Sequence, residues 1–347
     1  MGVFSSADRD GHTHVLYGAD DASGLKAIVA IHSTALGPAL GGTRFFPYAT
    51  EDEALHDVLR LSQGMTLKNA AAGLDHGGGK AVIIGDPRII KTEELMRAYG
   101  RLIESLGGRY VTAEDVGTTA QDMEWVRDET RWVTGTSTAH GGSGDPSPAT
   151  ALGVFSALVA AADYTFGSPD LAGRRVAVQG VGKVGHAYVR LLVEAGAEVL
   201  VADVWEPAVD RAVEDFGVKA IPHEEILFAD VDVVSPCAMG EVLNANTIAR
   251  LNCRLVVGSA NNQLAHDEDA NRLMAHGVVY VPDFVANAGG VINVADELHG
   301  YDAERVMRKV RGLGERTTNI LESARTLSIT PNEAAIRMAM ARIEAAG

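Results

Sequence analysis

The chain has 347 residues, enough for about two domains with cores of their own. Its apolar and charged fractions are those of an ordinary globular protein. A formal net charge of −16 argues against nonspecific binding to nucleic acid or an anionic membrane, though local lysines can still hold an anionic small molecule.

The N-terminus, MGVFSSADRDGHTH, is polar and lacks an apolar signal core. Met1-Gly2 with Ser6 fits a myristoylation pattern only superficially, because no polybasic segment accompanies it. No apolar run reads as long enough to span a bilayer, so the expected location is cytoplasmic. Gly24 to His32 predicts a strand, and Gly37 to Arg44 is turn-rich before another extended segment. A helix is expected from Thr50, where Thr50 and Glu53 have capping-box spacing and Ala54, Leu55, Val58, Leu59, Leu61 and Met65 recur at helical intervals. Lys68 falls near its end, where a cation also suits the helix dipole.

The stretch GMTLKNAAAGLDHGGGK, Gly64 to Lys80, organises the rest. It carries two lysines, Lys68 and Lys80, and three consecutive glycines before the second. Gly77, Gly78 and Gly79 are expected to take positive φ and to let the backbone approach a ligand, ahead of a strand from Ala81 to Ile84. The bland alternative is a flexible surface loop with two solvated lysines. Thr92 to Leu106 predicts an amphipathic helix. Arg109 to Gly117 is a strand-like run ending in Glu114 and Asp115, acids that face a cleft or cap the next helix. Thr119 or Asp122 can serve as that cap, which leaves Asp115 for chemistry. His140 to Pro148, HGGSGDPSP, reads as an interdomain hinge beside a cleft.

Thr150 to Ala162 is an apolar helix. The strand Val176 to Gln179 then runs into Gly180-Val181-Gly182-Lys183-Val184-Gly185, a helix, a second strand and Asp203. This is G-x-G-x-x-G in its strand–turn–helix setting. Gly180 makes the turn, Gly182 admits the pyrophosphate and Gly185 lets helix pack on strand. Asp203, 18 residues after Gly185, accepts from a ribose 2′-hydroxyl and repels a 2′-phosphate, which favours NAD over NADP. Three further strands end in small or polar loops at Pro236-Cys237-Ala238, Ser259-Ala260-Asn261-Asn262 and Pro282-Asp283. Asn261 and Asn262 suit a carboxamide, or simple turn chemistry. The two cysteines, Cys237 and Cys253, fit free thiols in a reducing compartment, and no metal-ligand spacing is present. The expected fold is α/β with two domains, an N-terminal mixed-sheet substrate domain and a C-terminal doubly wound Rossmann-type domain.

NAD, two lysines and an acid suggest hydride transfer on an anionic substrate. One lysine pairs with a carboxylate, and a second cation nearby favours the neutral, basic form of the other. GGGK, TAEDVGTT, GVGKVG, PCAMG, GSANNQLA and NAGGVINVADELHG together resemble the glutamate/leucine/phenylalanine/valine dehydrogenase family, its leucine and valine members most. The resemblance runs over nearly the whole chain. It implies reversible oxidative deamination of an L-amino acid to a 2-oxo acid and ammonium, with NAD. It implies Lys80 as base, Lys68 on the substrate carboxylate and Asp115 as proton shuttle. It places the substrate among Leu40, Gly41, Met65, Lys68, Ala113, Val291 and Val294, all apolar or small apart from the lysine. That disfavours glutamate and favours leucine, with valine next and phenylalanine open. Cofactor positions carried over are Thr150, Gly180, Val181, Gly182, Lys183, Val184, Gly185, Asp203, Val204, Cys237, Ala238, Ala260 and Asn262. The implied domains are 1–140 for substrate and oligomerisation, joined by a C-terminal helix at about 327–347, and 141–326 for NAD. The implied assembly is a homo-oligomer, dimer or octamer. Two alternatives of other kinds are a noncatalytic NAD-binding regulatory protein and a hydroxy-acid oxidoreductase. The first would lose a member of the catalytic set, and the second commonly uses a His–acid pair that is not evident here.

Overall fold

The computed structural model describes residues 11–346, so the Met1-Gly2 and Ser6 pattern lies outside the described residues. The chain divides into two compact units. Residues 11–145, 293–303 and 339–346 form the first, and 146–292 and 304–338 the second.

The first unit opens with β1 (His14–Asp20), β2 (Leu25–Ser33), β3 (Ala39–Phe46), α1 (Glu51–Ala71) and β4 (Gly77–Ile84). After these come α2 (Pro87–Ile90), α3 (Glu93–Glu104), β5 (Tyr110–Glu114) and α4 (Ala120–Arg127). The strands make one mixed sheet in the order β1-β2-β4-β3-β5. β2 is antiparallel to β1 and β4, while β3 is parallel to β4 and β5. α1 covers one face, where Ala54, Val58 and Leu59 pack on Ile28, Ala30 and Val82. The opposite face meets Leu95, Met96, Tyr99 and Ile103 of α3 and Met123 and Val126 of α4. Thr50 caps α1 by accepting from the Glu53 N–H at 3.1 Å, while the Glu53 carboxylate accepts from the Ala49 N–H at 3.1 Å, one residue before the position a closed capping box would use. The turn-rich expectation for Gly37 to Arg44 is corrected beyond Pro38, since strand pairing begins at Ala39.

The second unit begins with α5 (Ser147–Phe166), β6 (Arg175–Gln179), α6 (Lys183–Glu194), β7 (Glu198–Ala202), α7 (Glu206–Phe216) and β8 (Lys219–Ala220). It continues through β9 (Val233–Pro236), α8 (Ala245–Ile248), β10 (Leu255–Val256), α9 (Glu268–Ala275), β11 (Val279–Tyr280) and α10 (Asp283–Ala286). α11 (Gly289–Ala295) runs from the second unit into the first, followed by α12 (Ala303–Arg311), α13 (Leu313–Leu327) and α14 (Pro331–Glu344). All six strands are parallel, in the order β11-β10-β9-β6-β7-β8. Counted within the unit this is 6-5-4-1-2-3, the doubly wound Rossmann order, with its topological switch between β6 and β9.

One sequence expectation needs correction. α5 is 20 residues long and apolar enough, by length and composition, to cross a bilayer. Half of its apolar stretch is buried within the protein. Ala151, Val154, Ala157, Leu158, Ala161 and Ala162 sit in the main core of the second unit. Apolarity on several sides follows from packing between the sheet, α6 and α13, as in any helix surrounded by its own protein.

Candidate active site

Strand register assembles the first half of the site. Side chains alternate across a sheet, and directly paired residues share a face. Leu40 pairs with Gly78 and Val111, and Gly42 pairs with Ala113. Lys80 pairs with Ala30, whose side chain packs under α1. Leu40, Gly42, Arg44, Gly78, Lys80, Val111 and Ala113 therefore all face α1. Met65 and Lys68 lie near the C-terminal end of that helix, one turn apart. The other face is closed by a buried hydroxyl cluster of Thr43, Tyr99 and Thr112.

The triple glycine is a strand, not a loop. β4 begins at Gly77, four residues before the predicted Ala81, and none of the three glycines has positive φ. A Cβ on Gly77 would lie 1.9 Å from the Ser33 carbonyl oxygen, and one on Gly79 would lie 2.7 Å from the Tyr110 ring. One on Gly78 would lie 2.1 Å from the Thr66 nitrogen. The glycines let α1 and the neighbouring strands close on β4. Asn69, buried in α1, fastens the contact by donating to the Leu40 and Gly77 carbonyls at 3.0 and 2.6 Å. Gly41 is equally crowded, with Gly79 O at 1.9 Å and Met65 Cγ at 3.2 Å from where its Cβ would be.

Lys80 emerges from this strand with its side chain only 8% exposed, and its Nζ lies 2.6 Å from Asp115 Oδ2. Asp115 follows β5 in a turn held by Thr118. The Thr118 hydroxyl accepts from the Asp115 N–H at 2.9 Å and lies 3.0 Å from the Thr43 carbonyl oxygen. Thr119 and Asp122 form the capping box of α4, so Asp115 is not needed as a cap. Burial pushes the Asp115 carboxyl up. The Lys80 ammonium, and then the Arg44 guanidinium, outweigh that and hold it below the ordinary carboxylate range.

Residues that local pattern did not single out complete the surroundings. Arg44 Nε lies 3.6 Å from the same Asp115 oxygen, and its Nη1 donates to Asp57 of α1 at 2.8 Å. Glu297 accepts from the backbone N–H groups of Gly135 at 3.1 Å and Ser143 at 2.8 Å. Neither set has a sequence signal, because the partners come together only through the sheet and the chain's return at 293–303. Of the expected pocket residues, Leu40 is fully buried and Ala113 nearly so. Val294 belongs to the first unit and Val291 to the second.

The second unit carries the glycine loop. Gly180 has φ +95°, and a Cβ there would lie 2.6 Å from the Ala238 Cβ. A Cβ on Gly185 would lie 2.0 Å from the Gly180 carbonyl oxygen, which is the close helix–strand approach expected of the third glycine. Gly182 precedes α6 with open space where a side chain would stand, and no side chain caps the helix. Its first N–H groups therefore suit a pyrophosphate. Asp203, just past β7, accepts from the Val181 N–H at 2.8 Å and the Trp205 N–H at 3.0 Å. A carboxylate has lone pairs left for a ribose hydroxyl. Val181 and Ala260 are buried, Lys183, Val204 and Ala238 exposed, and Val184 partly buried. Cys237 donates its N–H to Gln179 at 2.7 Å, and burial raises its thiol, which suits a packed rather than a reactive cysteine. Asn262 has φ +52° in an exposed turn, while Asn261 accepts from Asn287 at 2.8 Å. Thr150 packs against Gly290 at the start of α11. These residues fit a dinucleotide.

Comparison with known proteins agrees. The model of the Glu/Leu/Phe/Val dehydrogenase dimerisation domain matches residues 12–132. That of glutamate/leucine/phenylalanine/valine dehydrogenase matches 141–204 and 206–347. A leucine dehydrogenase of Bacillus subtilis is 50% identical over 344 residues, 99% of this chain and 94% of the relative. A valine dehydrogenase of Streptomyces virginiae is 52% identical over 340 residues, 97% of this chain and 95% of the relative. The crystal structure of an L-tryptophan dehydrogenase from Nostoc punctiforme superposes with a TM-score of 0.87 at 42% identity, covering 97% of each chain. The chain therefore belongs to the glutamate/leucine/phenylalanine/valine dehydrogenase family of NAD-dependent amino-acid dehydrogenases.

Proposed function

We propose that the chain deaminates branched-chain L-amino acids reversibly, leucine first and valine next, giving the 2-oxo acid, ammonium and NADH. The carrying observation is the Lys80–Asp115 pair, a lysine almost closed off from solvent at 2.6 Å from a carboxylate. The first unit serves substrate and oligomerisation, and the second serves NAD.

The glycine loop and Asp203 would hold NAD, which would supply a hydride acceptor for oxidation at the substrate Cα. Lys68 holds the substrate carboxylate. Neutral Lys80 takes a proton from the water that attacks the resulting imino carbon. Asp115, ion-paired with Lys80, carries protons to and from the amino nitrogen. Leu40, Gly41, Met65, Ala113, Val291 and Val294 surround the substrate side chain. Among them there is no cation for a distal carboxylate, which disfavours glutamate. An aliphatic pocket discriminates between neighbouring side chains by only about 1–3 kcal/mol. Valine is the second reading because of the Streptomyces virginiae relative. The enzyme acts as a homo-oligomer, dimer or octamer, in the cytoplasm, on small molecules and not on nucleic acid or membranes.

Initial rates of NADH formation with a panel of L-amino acids at equal concentration test this. Leucine and valine should be fast, phenylalanine slow and glutamate silent. Phenylalanine as best substrate would overturn the pocket assignment but not the chemistry. Silence throughout, with NAD still bound, would favour a noncatalytic NAD-binding protein.

A further inference from the structure

Three charged groups meet on the α1 face of the first sheet, and one of them has no part in the chemistry described so far. Asp115 Oδ2 lies between Lys80 Nζ at 2.6 Å and Arg44 Nε at 3.6 Å. The first distance is a close ion pair, while the second is longer and acts as a fixed nearby charge. Asp115 can sit between the two cations because Gly42 has no side chain. A Cβ there would lie 2.8 Å from the Asp115 Cβ.

Arg44 is held firmly from behind. Its Nη1 donates to Asp57 Oδ2 at 2.8 Å, and the Tyr48 hydroxyl donates to the same oxygen at 2.6 Å. Asp57 also meets Arg60 at 3.2 Å, so it does not depend on Arg44 for its charge balance. What remains for Arg44 is the edge turned to Asp115.

A base must lose its proton before it can act. When Lys80 is neutral, the partly buried Asp115 loses its nearest cation, and an uncompensated carboxylate in such a place is costly. A guanidinium does not titrate in a protein. We propose that Arg44 is a positioning residue, the permanent counter-cation that keeps Asp115 in place as a carboxylate while Lys80 gains and loses its proton. The inference rests on the proton-shuttling role proposed for Asp115.

The test is a double-mutant cycle on the full-length enzyme, with kcat and KM measured separately for L-leucine and NAD. Arg44→Gln should lower kcat roughly 10- to 100-fold, the scale on which a misplaced catalytic group acts, with KM for leucine within about twofold. Arg44→Lys should recover most of the loss. In an Asp115→Asn background, Arg44→Gln should change the residual rate by less than about twofold, because it acts through the group already removed. Equal losses in both backgrounds, or wild-type kcat in Arg44→Gln alone, would overturn the role of Arg44. An Asp115→Asn enzyme with wild-type kcat would instead overturn the role of Asp115. NAD binding followed by fluorescence, with thermal unfolding, separates a misfolded variant from a slow one.

Discussion

The side chain that Gly78 lacks is the space that Thr66 occupies: a Cβ on Gly78 would fall 2.1 Å from the Thr66 backbone nitrogen. This one contact sets how closely α1 lies on β4, and with it the position of the helix end that bears Met65 and Lys68.

Gly78→Ala should therefore be destabilising through overpacking. The obstacle is backbone within a helix, so the loss should reach the upper end of the roughly 1–3 kcal/mol seen for inserted methyl groups. Urea unfolding should show a lower midpoint. An unchanged midpoint would mean that α1 slides freely over the sheet.

Lys80→Ala removes the proposed base. Turnover with leucine should fall about 10²- to 10⁴-fold, the usual worth of a positioned acid or base. The glycine loop belongs to the second unit, so the dissociation constant for NAD should not change. Retained turnover would remove Lys80 from the mechanism.

Asp203→Ser takes away the anion expected to repel a 2′-phosphate. The ratio of kcat/KM for NADP to that for NAD should rise about tenfold or more, the equivalent of about 1.4 kcal/mol. An unchanged ratio would mean that the carboxylate serves only to hold the Val181 and Trp205 N–H groups.

Asp115 predicts a pH dependence. Its folded carboxyl titrates below the ordinary value of 3.8, held down by Lys80 and Arg44 against the effect of burial. A depressed carboxyl contributes stability that is fully present above its unfolded pKa and is lost as pH falls through the folded one. The stability gap between wild type and Asp115→Asn, read by urea unfolding, should stay constant from neutral pH down to about 4 and narrow below it. A gap that widens on acidification would show that burial governs the carboxyl.

The sequence by itself determined what depends on neighbours along the chain. The strand–glycine–helix passage at Gly180 to Gly185, the cap at Thr50, the Thr119–Asp122 cap and the helical position of Lys68 are local, and the structure carries each of them. Tertiary structure decided the rest. Gly77 to Gly79 read as a positive-φ segment ahead of a strand at Ala81, because local propensity disfavours strand for glycine, yet they lie within β4, where α1, Ser33 and Tyr110 press so close that no other residue fits. Read as Thr150 to Ala162, α5 is too short for a bilayer; the structure extends it to Ser147–Phe166, 20 residues, and seats it in the second unit's core. Arg44, Asp57 and Asp115 come from a strand, a helix and a turn that are far apart in sequence. Their meeting depends on the parallel pairing of β3 with β5 and the seating of α1, relations set by long-range packing that no local pattern records.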